Sequence, residues 1–188
     1  MRIISGTFKG KKILLPIDSN TRPLKDMTKE SIFNIITHSN KFELNLSKSY
    51  ILDLFSGVGS FGIECLSRGV KKVIFVENYQ KVLPILKKNL TSLNLCKNYE
   101  IIENDIFNKS TFLKINYKFD IIFLDPPYKI KDLNYVFNYI KTNKILNHNG
   151  IIILHRHKNE DEIFPSELKV IEEKYYGISK INFLTYSK

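Results

Sequence analysis

Residues 119–128 read Phe-Asp-Ile-Ile-Phe-Leu-Asp-Pro-Pro-Tyr, an apolar run that stops at two prolines. Residues 121–124 carry no polar side chain, the pattern of a strand buried on both faces in the middle of a parallel sheet. Pro126 and Pro127 have no backbone N–H, fix their own φ and restrict the residue before each of them. Asp125, Pro126, Pro127 and Tyr128 therefore make a stiff loop at the carboxyl edge of a central strand. That edge is where open α/β sheets bind ligands. A carboxylate, exposed carbonyls and an aromatic ring are held there.

The rest of the 188 residues is enough for one domain with a full core. Residues 50–55, 72–77, 99–103 and 150–155 read as further strands. Helical patterns lie between them: from the glycine loop to about Arg68, over 78–95 with Pro84 inside as a kink, and over 131–144. This alternation predicts an α/β fold with a doubly wound parallel sheet. The tail departs from it, because 170–176, Gly177 and 180–186 read as an antiparallel hairpin.

Residues 1–40 form a preface, and 41–49 a linker. Short strands are expected over 2–4 and 12–15, around a glycine-bearing turn. A helix follows through about His38, with Asp26 as its cap, Lys29 and Glu30 facing out, and Ile32, Phe33, Ile35 and Ile36 facing in.

The net charge of +10 suggests an anionic partner, most simply nucleic acid. A chain crowded with Lys, Asn and Ile can also owe part of that charge to base composition. Arg2, Lys9, Lys11 and Lys12 would share one small ribbon, either a phosphate-tracking face or a solvated one. No apolar run approaches the ~20 residues of a membrane span, and the N-terminus lacks a signal-peptide core. A cytoplasmic protein with no membrane partner is the default. Cys65 and Cys96 suit a reducing compartment, Cys65 as a core residue. His155-Arg156-His157 is the one histidine cluster, and its central cation argues against a metal; no metal site is expected.

Gly57, Gly59 and Gly62 spell G-x-G-x-x-G between a strand and a helix, with Glu77 ending the next strand. This is the dinucleotide fingerprint in its usual context. A tight strand-to-helix turn alone is the bland alternative, and strand, loop, helix and acid together weigh against it. An NAD-dependent oxidoreductase also has to be weighed. Three features favour S-adenosylmethionine instead. Asp53, just before the loop, suits a ligand bearing an ammonium group and opposes a pyrophosphate. Asp105 ends the third strand, placed to meet an adenine amine. The chain also turns into a hairpin where a dinucleotide fold needs a second βαβαβ half.

With these residues, 53–59 resembles the first cofactor motif of class I S-adenosylmethionine-dependent methyltransferases. The resemblance implies a Rossmann-like fold with a seven-stranded, mostly parallel sheet and a C-terminal antiparallel hairpin. It implies that Asp53, Phe55, Gly57 and Gly59 lie along the cofactor. Glu77 would hold the ribose hydroxyls, Asn78 would border that pocket, and Asp105 with the Ile106 backbone would read the adenine. Asp125-Pro126-Pro127-Tyr128 resembles the motif that methylates exocyclic nucleobase amines. Asp125 and the Pro126 carbonyl would orient the amine, Pro127 would stiffen the loop, and Tyr128 would stack on the base.

The preface narrows the match. Arg2-Ile3-Ile4-Ser5-Gly6, Lys9-Gly10, Thr21-Arg22-Pro23, Asp26, Lys29-Glu30 and Phe33-Asn34 resemble the opening of the RsmD family, the bacterial 16S rRNA guanine-N2 methyltransferases. So do Leu66-Ser67-Arg68-Gly69 and Tyr176-Gly177-Ile178-Ser179-Lys180. This resemblance implies an RNA-binding extension over 1–40, with Arg2, Lys9, Lys11, Lys12, Arg22 and Lys25 on phosphates, and a methyltransferase domain over 41–188. It implies 16S rRNA as partner, in an assembling or assembled small subunit, and a monomer is the default state. Leu24-Lys25, Met27-Thr28 and the basic strand end at His155-Arg156-His157 depart from the family pattern. A DNA adenine-N6 methyltransferase would use the same tetrapeptide, but the chain lacks an obvious target-recognition domain. A non-catalytic RNA-binding module sits poorly with an intact tetrapeptide.

Overall fold

The computed structural model describes residues 1–16, 24–93 and 98–187. Its centre is a seven-stranded sheet of order β3-β2-β1-β4-β5-β7-β6. The strands are β1 (Tyr50–Leu54), β2 (Lys72–Glu77), β3 (Tyr99–Glu103), β4 (Phe119–Leu124), β5 (Leu146–His157), β6 (Leu168–Tyr176) and β7 (Ser179–Tyr186). β1 to β5 pair in parallel. β7 runs antiparallel to β5 and to β6. This is the Rossmann-like class I methyltransferase arrangement, with the expected terminal hairpin.

Side-chain alternation divides the strands between two apolar layers. Ile51, Phe75, Ile121, Phe123, Ile151 and Ile153 face one core, where α1 (Asp26–His38), α2 (Ser60–Ser67) and α3 (Leu83–Thr91) pack. Leu52, Leu54, Ile74, Ile122, Leu124 and Ile152 face the other, under α4 (Lys109–Leu113) and α5 (Asn134–Thr142). Burial on both faces is what the apolar run of β4 requires.

Several elements depart from expectation. Pro84 does not kink a long helix. It stands in the first turn of α3, where its missing N–H costs nothing. β1 stops at Leu54, and Phe55 turns to φ +59°. α5 is shorter than expected, and β5 begins earlier, at Leu146.

The preface forms one antiparallel bridge, Arg2 to Lys12, rather than two strands. Ile3 and Ile13 N–H keep the ladder bonds of that bridge, and other backbone donors of the preface reach α2. The N–H groups of Ile4 and Ser5 donate to Glu64 at 2.8 and 2.9 Å, and Phe8 N–H donates to Ser67 Oγ at 3.0 Å. Asp26 is the first residue of α1 rather than its cap, and Lys25 at the cap position makes no side-chain hydrogen bond. Lys29 does not face out. Its side chain is 0% exposed, with Nζ 3.5 Å from Glu64 and 2.8 Å from the Arg2 carbonyl. Removing one partner from such a buried pair costs about 3–5 kcal/mol, so this contact fastens the preface to α2. Ile3, Ile13, Leu24, Ile32, Phe33 and Ile36 share one core with Phe61 and Ile63.

Candidate active site

The carboxyl ends of β1, β2, β3 and β4 open on one cleft of about 720 Å³. Four of its lining residues carry a carboxyl group: Asp53, Glu77, Asp105 and Asp125. Each stands within two residues of the carboxyl end of its strand, as the parallel topology dictates.

Glu77 accepts three backbone N–H bonds, from Gly57 at 2.7 Å, Asn78 at 2.8 Å and Tyr79 at 2.7 Å. One carboxylate thereby fixes both the glycine loop and the turn after β2. Asp105 accepts from the Asn78 amide at 2.9 Å and from Phe107 N–H at 2.9 Å. Asp53 projects to the α2 side, where Gly62 N–H donates to it at 3.0 Å. Burial pushes the Asp53 carboxyl well up; Gly62 opposes this, while the charges of Asp125 and Glu77 add to it.

The local fold follows from the glycines. Gly59, the residue before α2, has φ +83°, and a Cβ there would come within 2.6 Å of Leu86. At Gly62 a Cβ would meet the Phe75 ring at 2.3 Å and Asp53 Oδ2 at 2.9 Å. These two glycines serve turn and packing, whereas Gly57 lines the cleft. Phe55, a non-glycine residue at φ +59°, also lines it and tilts against Phe107 with ring centroids 6.3 Å apart. Backbone strain of this kind gathers at ligand sites.

On the neighbouring strand β4, Asp125-Pro126-Pro127-Tyr128 follows the strand end, all four lining the cleft. The loop closes where Ile130 N–H donates to the Pro127 carbonyl at 2.9 Å. Arg156, 1% exposed, donates to the Ile130 carbonyl at 2.8 Å and pairs with Glu162 at 2.7 Å. His155 Nδ1 lies 2.8 Å from Asp125 Oδ1. The Tyr128 ring meets His157 edge-on at 5.7 Å.

Asp53, Phe55, Gly57, Glu77, Asn78 and Asp105 thus share one cleft with the tetrapeptide, while Gly59 and Ile106 are not among its lining residues. Arg2, Lys9, Lys11, Lys12 and Lys25 are exposed, outside the cleft. Arg22 lies outside the described residues, as does Cys96. Sequence reasoning missed His155, Lys129 and Phe107 as cleft residues. His155 had a usable signal, since the strand expected over 150–155 ends on it.

The donor set bears on the ligand. Glu77, Asp105 and Asp53 present acceptors to hydroxyl, amine and cationic groups, which suits an adenosyl ligand with a positive sulfur. Among the described residues Lys129 is the lining lysine, and it belongs to the tetrapeptide side, away from the glycine loop. A pyrophosphate on that loop would face carboxylates, which counts against NAD.

A family model described as "Conserved hypothetical protein 95" matches residues 1–185. The chain is 33% identical over 183 residues to the Ribosomal RNA small subunit methyltransferase D of Haemophilus influenzae, with 95% of this chain and 90% of that protein covered. The protein of the same name from Buchnera aphidicola is 31% identical over 186 residues, with 99% and 91% covered. A solved structure from Haemophilus influenzae, described as a candidate methylase, superposes with a TM-score of 0.77 at 31% identity over 100% of this chain and 98% of that one.

Proposed function

The chain belongs to the family described as conserved hypothetical protein 95, a class I methyltransferase lineage related to RsmD-like proteins, and from that premise we propose that it transfers a methyl group from S-adenosylmethionine to the exocyclic N2 amine of a guanine in 16S rRNA. One observation carries the reading: three strand-end acids and Asp125-Pro126-Pro127-Tyr128 line a single cleft. The small-subunit rRNA in the names of two relatives supports an RNA acceptor.

S-adenosylmethionine would supply an electrophilic methyl group on a cationic sulfur. Glu77 would hold the ribose hydroxyls, with Asn78 beside them. Asp105 and the Ile106 backbone would bind the adenine, and Asp53 with the Gly57 backbone the methionine end. In the same cleft, Asp125 and the Pro126 carbonyl would accept hydrogen bonds from the guanine amine. Its lone pair is delocalised into the ring, so orientation is the main task. The Asp125 charge would stabilise positive charge as it develops on nitrogen. Stacking on Tyr128 would add ~1–3 kcal/mol, the usual worth of a base on an aromatic ring.

A paired guanine cannot reach such a cleft, so the target would be unpaired or flipped out. Residues 1–40 would act as the RNA-binding extension, with Arg2, Lys9, Lys11, Lys12, Arg22 and Lys25 along phosphates of an assembling or assembled small subunit. Such contacts give affinity and orientation rather than base choice. Nucleoside mass spectrometry of 16S rRNA from cells lacking the protein tests the proposal. Loss of one N2-methylguanosine is the expected result, and an unchanged nucleoside profile would overturn it.

A further inference from the structure

We propose that His155 is a positioning residue for methyl transfer: it fixes one oxygen of Asp125 and, by gaining or losing a proton, sets the charge that Asp125 offers the acceptor amine. This rests on the reading that Asp125 receives that amine. Leu124 and Leu154 are register partners, so the residue after each, Asp125 and His155, meet at the sheet edge. Nδ1 of His155 lies 2.8 Å from Asp125 Oδ1, and Nε2 lies 2.9 Å from Ser179 Oγ. The ring is buried, and both nitrogens are engaged.

Both protonation states fit this cage. In the neutral ring Nδ1–H donates to Asp125 and Nε2 accepts from the Ser179 hydroxyl. In the imidazolium Nε2–H donates to the same hydroxyl, which only has to rotate. A hydroxyl serves either state, which a fixed donor or acceptor would not.

Lys129 and Glu77 line the same cleft, while the groups beside His155 on β5 and β7 are engaged elsewhere. Arg156 pairs with Glu162 and Glu160. Lys180, next to Ser179 on β7, reaches the Glu160 carbonyl and stands 4.0 Å from Asp161. His157 accepts from Asn159 N–H at 3.2 Å and meets Tyr128. On the adjacent strand β1, Asp53 feels the charge of Asp125. Burial disfavours the imidazolium, but the Asp125 charge and hydrogen bond outweigh it and raise His155 above its ordinary 6.5.

With a neutral ring, Asp125 keeps its full charge. It can then support the amine as the nitrogen lone pair forms the N–C bond, the C–S electron pair returns to sulfur, and one N–H proton leaves by way of Asp125 to solvent. With an imidazolium beside it, that charge is offset. Methyl transfer therefore rises with pH through the raised His155 value.

The test measures kcat and both KM values from acid to mildly alkaline pH, using small subunits from cells lacking the protein. Wild-type kcat should climb about tenfold per pH unit and then level, the behaviour of a single required deprotonation. His155→Gln should remove that limb and lower the plateau on the order of tenfold to a hundredfold, the loss seen when an orienting partner is removed at metal sites, with both KM values unchanged. NMR titration gives a readout independent of turnover. In Asp125→Asn, where burial acts alone, the imidazole should titrate below the wild-type value. A flat wild-type profile, a His155→Gln variant that keeps the limb, or an imidazole unmoved by Asp125→Asn would each overturn the role. Wild-type protein with coupled titration but no methyl transfer to guanine would refute the substrate reading, and the His155 role with it.

Discussion

The two sides of the cleft hold their carboxylates by different means. On the side of β1 to β3, the acids are tied to main chain. Glu77 takes N–H bonds from Gly57, Asn78 and Tyr79, and Asp53 takes one from Gly62. On the side of β4 and β5, side chains do the holding: His155 grips Asp125, and Arg156 pins the end of its loop at Ile130. Main-chain donors do not titrate, so the grip on the first side is fixed at every pH. On the second side the gripping group itself titrates, which suits the place where the proposed transfer sheds a proton.

That contrast can be broken most sharply at Asp125. Asp125→Asn should lower methyl transfer on the order of a hundredfold to a thousandfold, the range for removing one group that stabilises transition-state charge. Its S-adenosylmethionine affinity by calorimetry should stay at the wild-type level. Parallel loss of both would merge the two sides into one.

Glu77→Gln should give the converse result. Loss of a hydrogen bond to a charged group, about 1.5–3 kcal/mol, would weaken cofactor binding by tenfold or more while leaving RNA binding intact. A variant that binds the cofactor normally would remove Glu77 from the ribose pocket.

Asp53 sharpens the comparison through pH. Its carboxyl is held well above the usual carboxylate range by burial, and a cationic ligand favours the ionised form. Binding should therefore release a proton, and affinity should increase as pH rises toward the raised Asp53 value. Calorimetry in buffers of different ionisation enthalpy reads that release, and proton uptake would contradict it.

The smallest effect belongs to the preface. Lys11→Ala should flatten the salt dependence of RNA binding by about one unit of slope, as for one lost phosphate contact. An unaltered slope would leave Lys11 as a solvated residue.

The same contrast explains what could be read beforehand. The first side is local: glycines, a strand-end acid and donors one or two residues away, as at Glu77 with Asn78 and Tyr79. Hydrophobic runs and punctuation placed β2 and β3 at their observed bounds. Long-range pairing escaped notice. His155 and Asp125 are 30 residues apart, and only the β4–β5 register brings them together. Lys29 read as a surface lysine because Glu64, its partner across the fold, leaves no local signature. Pro84 was legible as a breaker, but not as a helix start, because the turn at 78–82 is organised by Glu77 rather than by apolar spacing.

The most direct measurement supplies methyl-labelled S-adenosylmethionine and small subunits from cells lacking the protein, then separates the nucleosides of the digested 16S rRNA. The two-sided cleft predicts label in N2-methylguanosine, cut on the order of a hundredfold or more by Asp125→Asn. Label in N6-methyladenosine, or in no nucleoside at all, would contradict it.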